Sequence, residues 1–386
     1  MSEIIKKYQN RFAEFFGAER AFAFWKGRVA LYAILKSMGI GPGDEIILPG
    51  YTCVMNVNPI KYLGAKPVYV DIEPVTFNLD VNLLRDKITP RSKVIIAQHT
   101  YGYPCDMDAV KRIAAENGII IIEDCCLALG SKYKGQMVGT FGRAAYFSSQ
   151  WNKPYTTGLG GMVITNNSEL VGRIQSLCDS QMCLPSSGEV FMLWAQLLIY
   201  RLLIYPRTTA FAQNLFRYLT KKGAVVGSSS ASEFQPVMTD DFFKSISNVQ
   251  AHSGLRQLKK INENIRHRKE MVKLYDNLLE QNGWSVYRTD SDIAEPVLVR
   301  YPVRIDGKSE ALEKAAAAGI ELGSWFESPL HPIETPLDVY DYEPGCCPQA
   351  EKAAREAVNL PLHPRVNERT ARRTVEFITG FNQIES

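Results

Sequence analysis

Charge bias is almost absent from this chain: 44 lysines and arginines stand against 41 acids in 386 residues, a net charge of +3. No stretch gathers five or six like charges, which excludes the usual signature of a nucleic-acid binder. Zinc-type CxxC pairs are missing as well, although the chain holds eight cysteines. Four of these form adjacent pairs, Cys125 with Cys126 and Cys346 with Cys347, which suits neither a disulfide framework nor a metal knuckle. The N-terminus reads MSEIIKKYQNRF, with no apolar core and no small-residue cleavage site, so no secretory signal is read. The cysteines are therefore expected to be reduced and the protein cytoplasmic. No internal repeat is found.

What is present is ordinary globular material, 46% hydrophobic and 22% charged. At roughly 150 residues per domain the length suggests two domains. Up to about residue 180 short apolar runs alternate with helical patterns. The runs at 45–48, 67–70, 94–98, 119–123, 145–148 and 162–165 are continuous rather than alternating, as in strands buried on both faces. Helical patterns at 28–38, 54–63 and 107–116 lie between them. This predicts an α/β domain with a mainly parallel, helix-covered sheet. Residues 247–281 read as strongly helical. The last 100 or so residues mix strand (297–305) and helix (309–319, 348–358 and from 368) as a smaller α/β lobe.

Between the two lies an apolar stretch. Residues 190–205 read VFMLWAQLLIYRLLIY, with Gln196 and Arg201 inside and too short for the roughly 20 residues of a spanning helix. A helix buried against a partner subunit and a helix resting on a membrane surface both fit. The thin polar face favours burial.

In open parallel sheets ligands sit at the carboxyl ends of the strands. One apolar run ends in Asp124. Another ends in Ser148, with Lys153 and the glycines of TTGLGG close behind. A carboxylate and an amine on two neighbouring strand exits suit pyridoxal phosphate, which needs a lysine at its carbonyl and an acid at its ring nitrogen. Ser148 and the helix start at Lys26, Gly27 and Arg28 offer phosphate donors. From these residues alone the reading reaches a phosphate-bearing cofactor at a sheet edge.

Several longer motifs carry the reading further. They are GPGDEIILPGYT (41–52), GAKPVYVDIEPVTFNLD (64–80), HTYGYPCDMDAV (99–110), EDCCLALGSKYKGQMVGTFG (123–142), FSSQWNKPYTTGLGGMVITN (147–166) and CPQAEKAAREAVNLPLHP (347–364). In this order they resemble the DegT/DnrJ/EryC1/StrS aminotransferases over most of the chain except roughly 184–242. That resemblance implies a fold-type-I, pyridoxal-phosphate-dependent transferase with a large, mainly parallel seven-stranded sheet domain and a smaller C-terminal α/β domain. The expected division is 1–245, with an insertion at about 184–242, and 246–386.

The resemblance also implies roles. Lys153 matches the lysine that binds the cofactor, and Asp124 the partner of its ring nitrogen. Ser148, Gly27 and Arg28 match phosphate contacts, with Arg28 standing where the family has threonine. Other positions depart from the pattern. Leu127 stands where a glutamine or histidine usually reaches the cofactor's phenolic oxygen. Cys53 stands where an aromatic usually stacks on the ring, with Tyr51 nearby. Phe243 and Ser245 occupy the positions of a segment that the partner subunit usually inserts, leaving Lys244 as the candidate phosphate contact in trans.

Trp325 and His331 lie where the small lobe meets substrate. His99 either approaches the cofactor or is satisfied by its own loop. The implied function is transfer of an amino group from a donor, glutamate by resemblance, to a keto-sugar acceptor for a surface polysaccharide or lipopolysaccharide, by a homodimer. A non-nucleotide keto-sugar or cyclitol acceptor, or a cofactor-binding regulator without turnover, are the alternatives. Retention of lysine at 153 speaks against the family's dehydratase branch, where histidine replaces it.

Overall fold

The computed structural model describes residues 1–203, 234, 236–332 and 337–384. Seven strands form the central sheet: β1 (Arg20–Phe24), β2 (Glu45–Pro49), β3 (Lys66–Val70), β4 (Ser92–Gln98), β5 (Ile120–Asp124), β6 (Ala144–Ser148) and β7 (Gly161–Thr165). Their order is β1-β7-β6-β5-β4-β2-β3. Strands β2 to β6 pair in parallel, and β7 runs against both β6 and β1. The sequence predicts six of these within a residue or two at each end. Strand β1, at the edge, is the one it misses.

Both sheet faces are buried, which is why the strands read as unbroken apolar runs. Ile46, Leu48, Val94, Ile96 and Ile122 face one core, and Ile47, Ile95, Ala97 and Ile121 the other. The first core carries on into the C-terminal part through Tyr275, Tyr301, Val303 and Leu360.

The helices flanking the sheet include α1 (Glu3–Phe16), α2 (Gly27–Ser37), α3 (Val54–Tyr62), α4 (Met107–Asn117), α5 (Ser168–Gln181) and α6 (Ser187–Leu203). Residues 247–281 form two helices rather than one, α7 (Asn248–Leu258) and α8 (Ile261–Gln281). Ser247 and Gln250 close a capping box at the start of α7. Helix α7 packs on α1, whereas α8 packs along the last helix, α11 (Glu368–Ile378). Between them come β8 (Arg300–Arg304), α9 (Lys308–Ala317), α10 (Pro348–Glu356) and β9 (Ala357–Pro361), with β8 and β9 antiparallel.

Helix α6 covers most of the apolar stretch. Among the described residues no helix is long and apolar enough to cross a membrane. Residues 204 and 205, and the serine-rich 227–232, lie outside the described part.

Candidate active site

The topology gathers chain ends at one sheet edge. Parallel β4, β5 and β6 finish there at Gln98, Asp124 and Ser148. Antiparallel β7 starts there, with Gly161 opposite Ser148, and β1 ends there, with Phe24 opposite Gly161. The chain then turns through Lys26 straight into α2. A Cβ on Gly161 would stand 2.3 Å from the Lys26 carbonyl oxygen, so only glycine lets these two backbones meet. At Gly27 a Cβ would meet the Ser148 Cβ at 3.0 Å. No side chain caps α2, and its first residue, Gly27, lies against Ser148.

Asp124 is buried and held on both oxygens. Oδ1 accepts the Cys126 N–H at 2.9 Å and Oδ2 accepts the Asn56 amide at 2.7 Å. Asn56 also donates to the Thr52 hydroxyl (2.9 Å), which donates to Gln98 (2.6 Å). This fixes the carboxylate rotamer from behind. Asn56 is a residue that the sequence reading does not single out.

Lys153 sits in the turn after β6, its Nζ 5.2 Å from the centre of the Trp325 ring. The guanidinium of Arg300 lies 5.3 Å from the same ring. Burial pushes the Cys53 thiol up, and the charges of Arg28, Lys153 and Asp124 all reach it. Burial and Asp124 push the Cys126 thiol well up, while Lys153 pulls it back. Lys153, Asp124, Arg28, Cys53 and Trp325 therefore lie near one another. Leu127 is buried in apolar contacts.

His331 joins this group. It pairs with Cys53 in a short parallel bridge and stacks on Phe326 at 5.4 Å. Burial pushes its imidazole down from 6.5 to about 4, so it is neutral at pH 7. Between these values the unfolded chain binds more protons than the folded one, and stability rises with pH. The contribution is complete above pH 6.5 and lost as pH falls toward 4. His331→Asn is expected to flatten the pH dependence of the urea midpoint across that window.

Three expected contacts fall elsewhere. His99 is wholly buried: its Nδ1 accepts the Cys105 N–H at 3.0 Å and its Nε2 lies 3.2 Å from Glu123. The loop reading of His99 is the one that holds. Lys244 is ion-paired within its own chain, to Glu189 and Asp241 at 2.7 Å each. Tyr51 is also fully buried, its hydroxyl accepting the Phe326 N–H at 3.0 Å and contacting the Tyr101 hydroxyl at 3.0 Å.

Tyr51 instead belongs to a clamp on the Trp325 loop. Tyr101 donates to the Trp325 carbonyl, and Asn359 grips the Trp325 N–H (3.1 Å) and carbonyl (2.7 Å). Lys308 donates to the Phe326 carbonyl at 2.8 Å. Tyr51→Phe keeps the ring packing on Phe77 and Phe326 but strands a buried N–H. A loss of about 1–3 kcal/mol in stability is expected, read by urea unfolding.

The profile of the DegT/DnrJ/EryC1/StrS aminotransferase family matches residues 2–188 and 242–379. The chain belongs to that family. A GDP-perosamine synthase of Caulobacter vibrioides is 31% identical over 95% of this chain and 87% of its own. The UDP-2-acetamido-2-deoxy-3-oxo-D-glucuronate aminotransferase of Pseudomonas aeruginosa is 30% identical over 93% and 86%. Among solved structures, an aminotransferase from Psychrobacter cryohalolentis aligns with a TM-score of 0.76 and 22% identity, covering 98% of this chain and 91% of that one. The protein is thus an aminotransferase of the family, with the family's cofactor, pyridoxal phosphate.

The aminotransferase's residues fit that group. A doubly held carboxylate at the end of β5 suits a protonated ring nitrogen. The uncapped start of α2 beside Ser148 suits a phosphate. The amine of Lys153 lies nearby; among the described residues no carboxylate comes within 4 Å of it.

Proposed function

We infer that this aminotransferase moves an amino group from L-glutamate to a nucleotide-linked keto-sugar, in the making of a surface polysaccharide or lipopolysaccharide, as a cytoplasmic homodimer. The observation that carries the reading is that the charges of Lys153 and Asp124 both reach Cys53 and Cys126 at one sheet edge, in a chain similar over nearly its whole length to two relatives whose names denote nucleotide-sugar chemistry.

Pyridoxal phosphate, when bound, supplies a carbonyl carbon for the travelling nitrogen and a ring that draws off electrons. Asp124 keeps the ring nitrogen protonated, and Asn56 with the Cys126 N–H keeps Asp124 in place. Gly27, Arg28 and Ser148 hold the phosphate. The Lys153 amine takes the proton from the donor carbon that bears the nitrogen, then returns one to the acceptor carbon in the second half of the cycle. Trp325, clamped by Tyr101 and Asn359, presents its ring to the Lys153 amine. Arg300 adds positive charge at the same ring, suited to an anionic part of donor or acceptor. Its neighbour Glu321 is raised by burial, but the His363 hydrogen bond and the Arg300 and Arg365 charges outweigh this and hold it at about 2.

The test is a screen of acceptors with glutamate as donor. Nucleotide-linked keto-hexoses are expected to be aminated and free keto-sugars and cyclitols not. Amination of a cyclitol alone would replace this reading with the non-nucleotide one.

A further inference from the structure

Helix α6 has two apolar faces, and its own chain covers one. Leu193 and Leu197 are buried against Trp25 and Leu159, and Tyr200 packs on Trp151 at 5.1 Å. On the opposite side Phe191, Trp194, Leu198 and Ile199 are exposed by 67%, 49%, 43% and 54%. Their spacing places them on one stripe. The Phe191 and Trp194 rings stack at 5.9 Å. The one acid in the first turn, Glu189, is turned to Lys244.

The family profile leaves out 189–241, which takes in most of this helix. Its surroundings in sequence are also unlike the rest of the chain. From 190 to 232 there are Arg201, Arg207, Arg217, Lys221 and Lys222 and no aspartate or glutamate, whereas the chain as a whole is nearly balanced. An apolar, aromatic helix face next to a purely cationic stretch matches a bilayer surface bearing anionic lipids.

We propose that the outer face of α6 docks on a bilayer containing anionic phospholipid, lying on it rather than crossing it. The inner face carries the consequence to the active site. Leu193 Cδ1 comes within 2.7 Å of where a Cβ on Gly158 would stand, so α6 rests directly on the turn that bears Lys153. One helix diameter, about 10 Å, then separates that turn from the lipid, and the acceptor is met at the membrane surface.

The proposal is tested with the full-length, cofactor-loaded protein and vesicles of equal parts phosphatidylcholine and phosphatidylglycerol, with pure phosphatidylcholine as control. The protein is expected to float with the anionic vesicles at low salt, and far less with the neutral ones. Phe191→Ser with Trp194→Ser is expected to reduce bound protein about tenfold or more. Both side chains are exposed, so the fold is kept, as the cofactor's absorbance will report. Vesicles with brominated acyl chains are expected to quench wild-type tryptophan fluorescence, and to quench Trp194→Phe less.

Wild-type protein that stays unbound, or a double variant that floats as well as wild type, overturns the proposal. If the wild type stays unbound and the double variant loses half its mass in sedimentation, the face belongs to a second copy. None of these readouts needs turnover, so their failure leaves the proposed reaction standing.

Discussion

Lys153→Ala is expected to lower aminotransfer by about 10³-fold or more, because it removes both the anchor for the cofactor's carbonyl and the group that moves the proton. The fold should survive. Lys153 lies in a turn beyond β6, and among the described residues it makes no ion pair whose loss would strand a buried carboxylate. Its recorded contact is with the face of Trp325. A loss in kcat/KM with an unchanged urea midpoint separates a chemical role from a structural one. An activity within tenfold of wild type would sink the assignment.

Asp124→Ala is expected to lower turnover by about 10²–10³-fold and to weaken cofactor binding, read by absorbance titration. The size follows from the loss of a fixed negative charge in a buried place, where it is screened least. Asp124→Asn should be nearly as damaging, since an amide keeps the shape but not the charge. Asn56→Ala is expected to cost much less, about tenfold, because the Cys126 N–H still holds one oxygen. Equal losses for Asn56→Ala and Asp124→Ala would mean that orientation, not charge, is what Asp124 supplies.

The strands were legible because burial on both faces demands continuous apolar runs, and 94–98 or 145–148 can be little else. Strand β1 was not, because RAFAF is short and its partner β7 lies some 140 positions on, as Ala21 opposite Ile164 shows. The break between α7 and α8 escaped notice because Lys259 and Lys260 carry no glycine or proline to mark it. At the site, Asp124, Ser148, Gly27 and Lys153 stood out because each sits at or just beyond a strand end or at a helix start. Tyr51 and His99 sit at strand ends too, yet motif position does not say which face of the sheet a side chain takes. His99 went to Glu123, on the side away from Asp124. Asn56 and Asn359 gave no signal, because their partners lie 68 and 34 positions away in sequence. Burial of the apolar stretch was legible in its composition, but not that its own chain covers one face through Leu193 and Leu197.

The most direct measurement is the visible spectrum of the cofactor-loaded protein before and after glutamate, followed by borohydride reduction and peptide mapping. The account predicts a visible band that glutamate bleaches, with the reduced pyridoxyl group on the peptide that carries Lys153. A label on any other lysine, or no band after the cofactor is added, would contradict it.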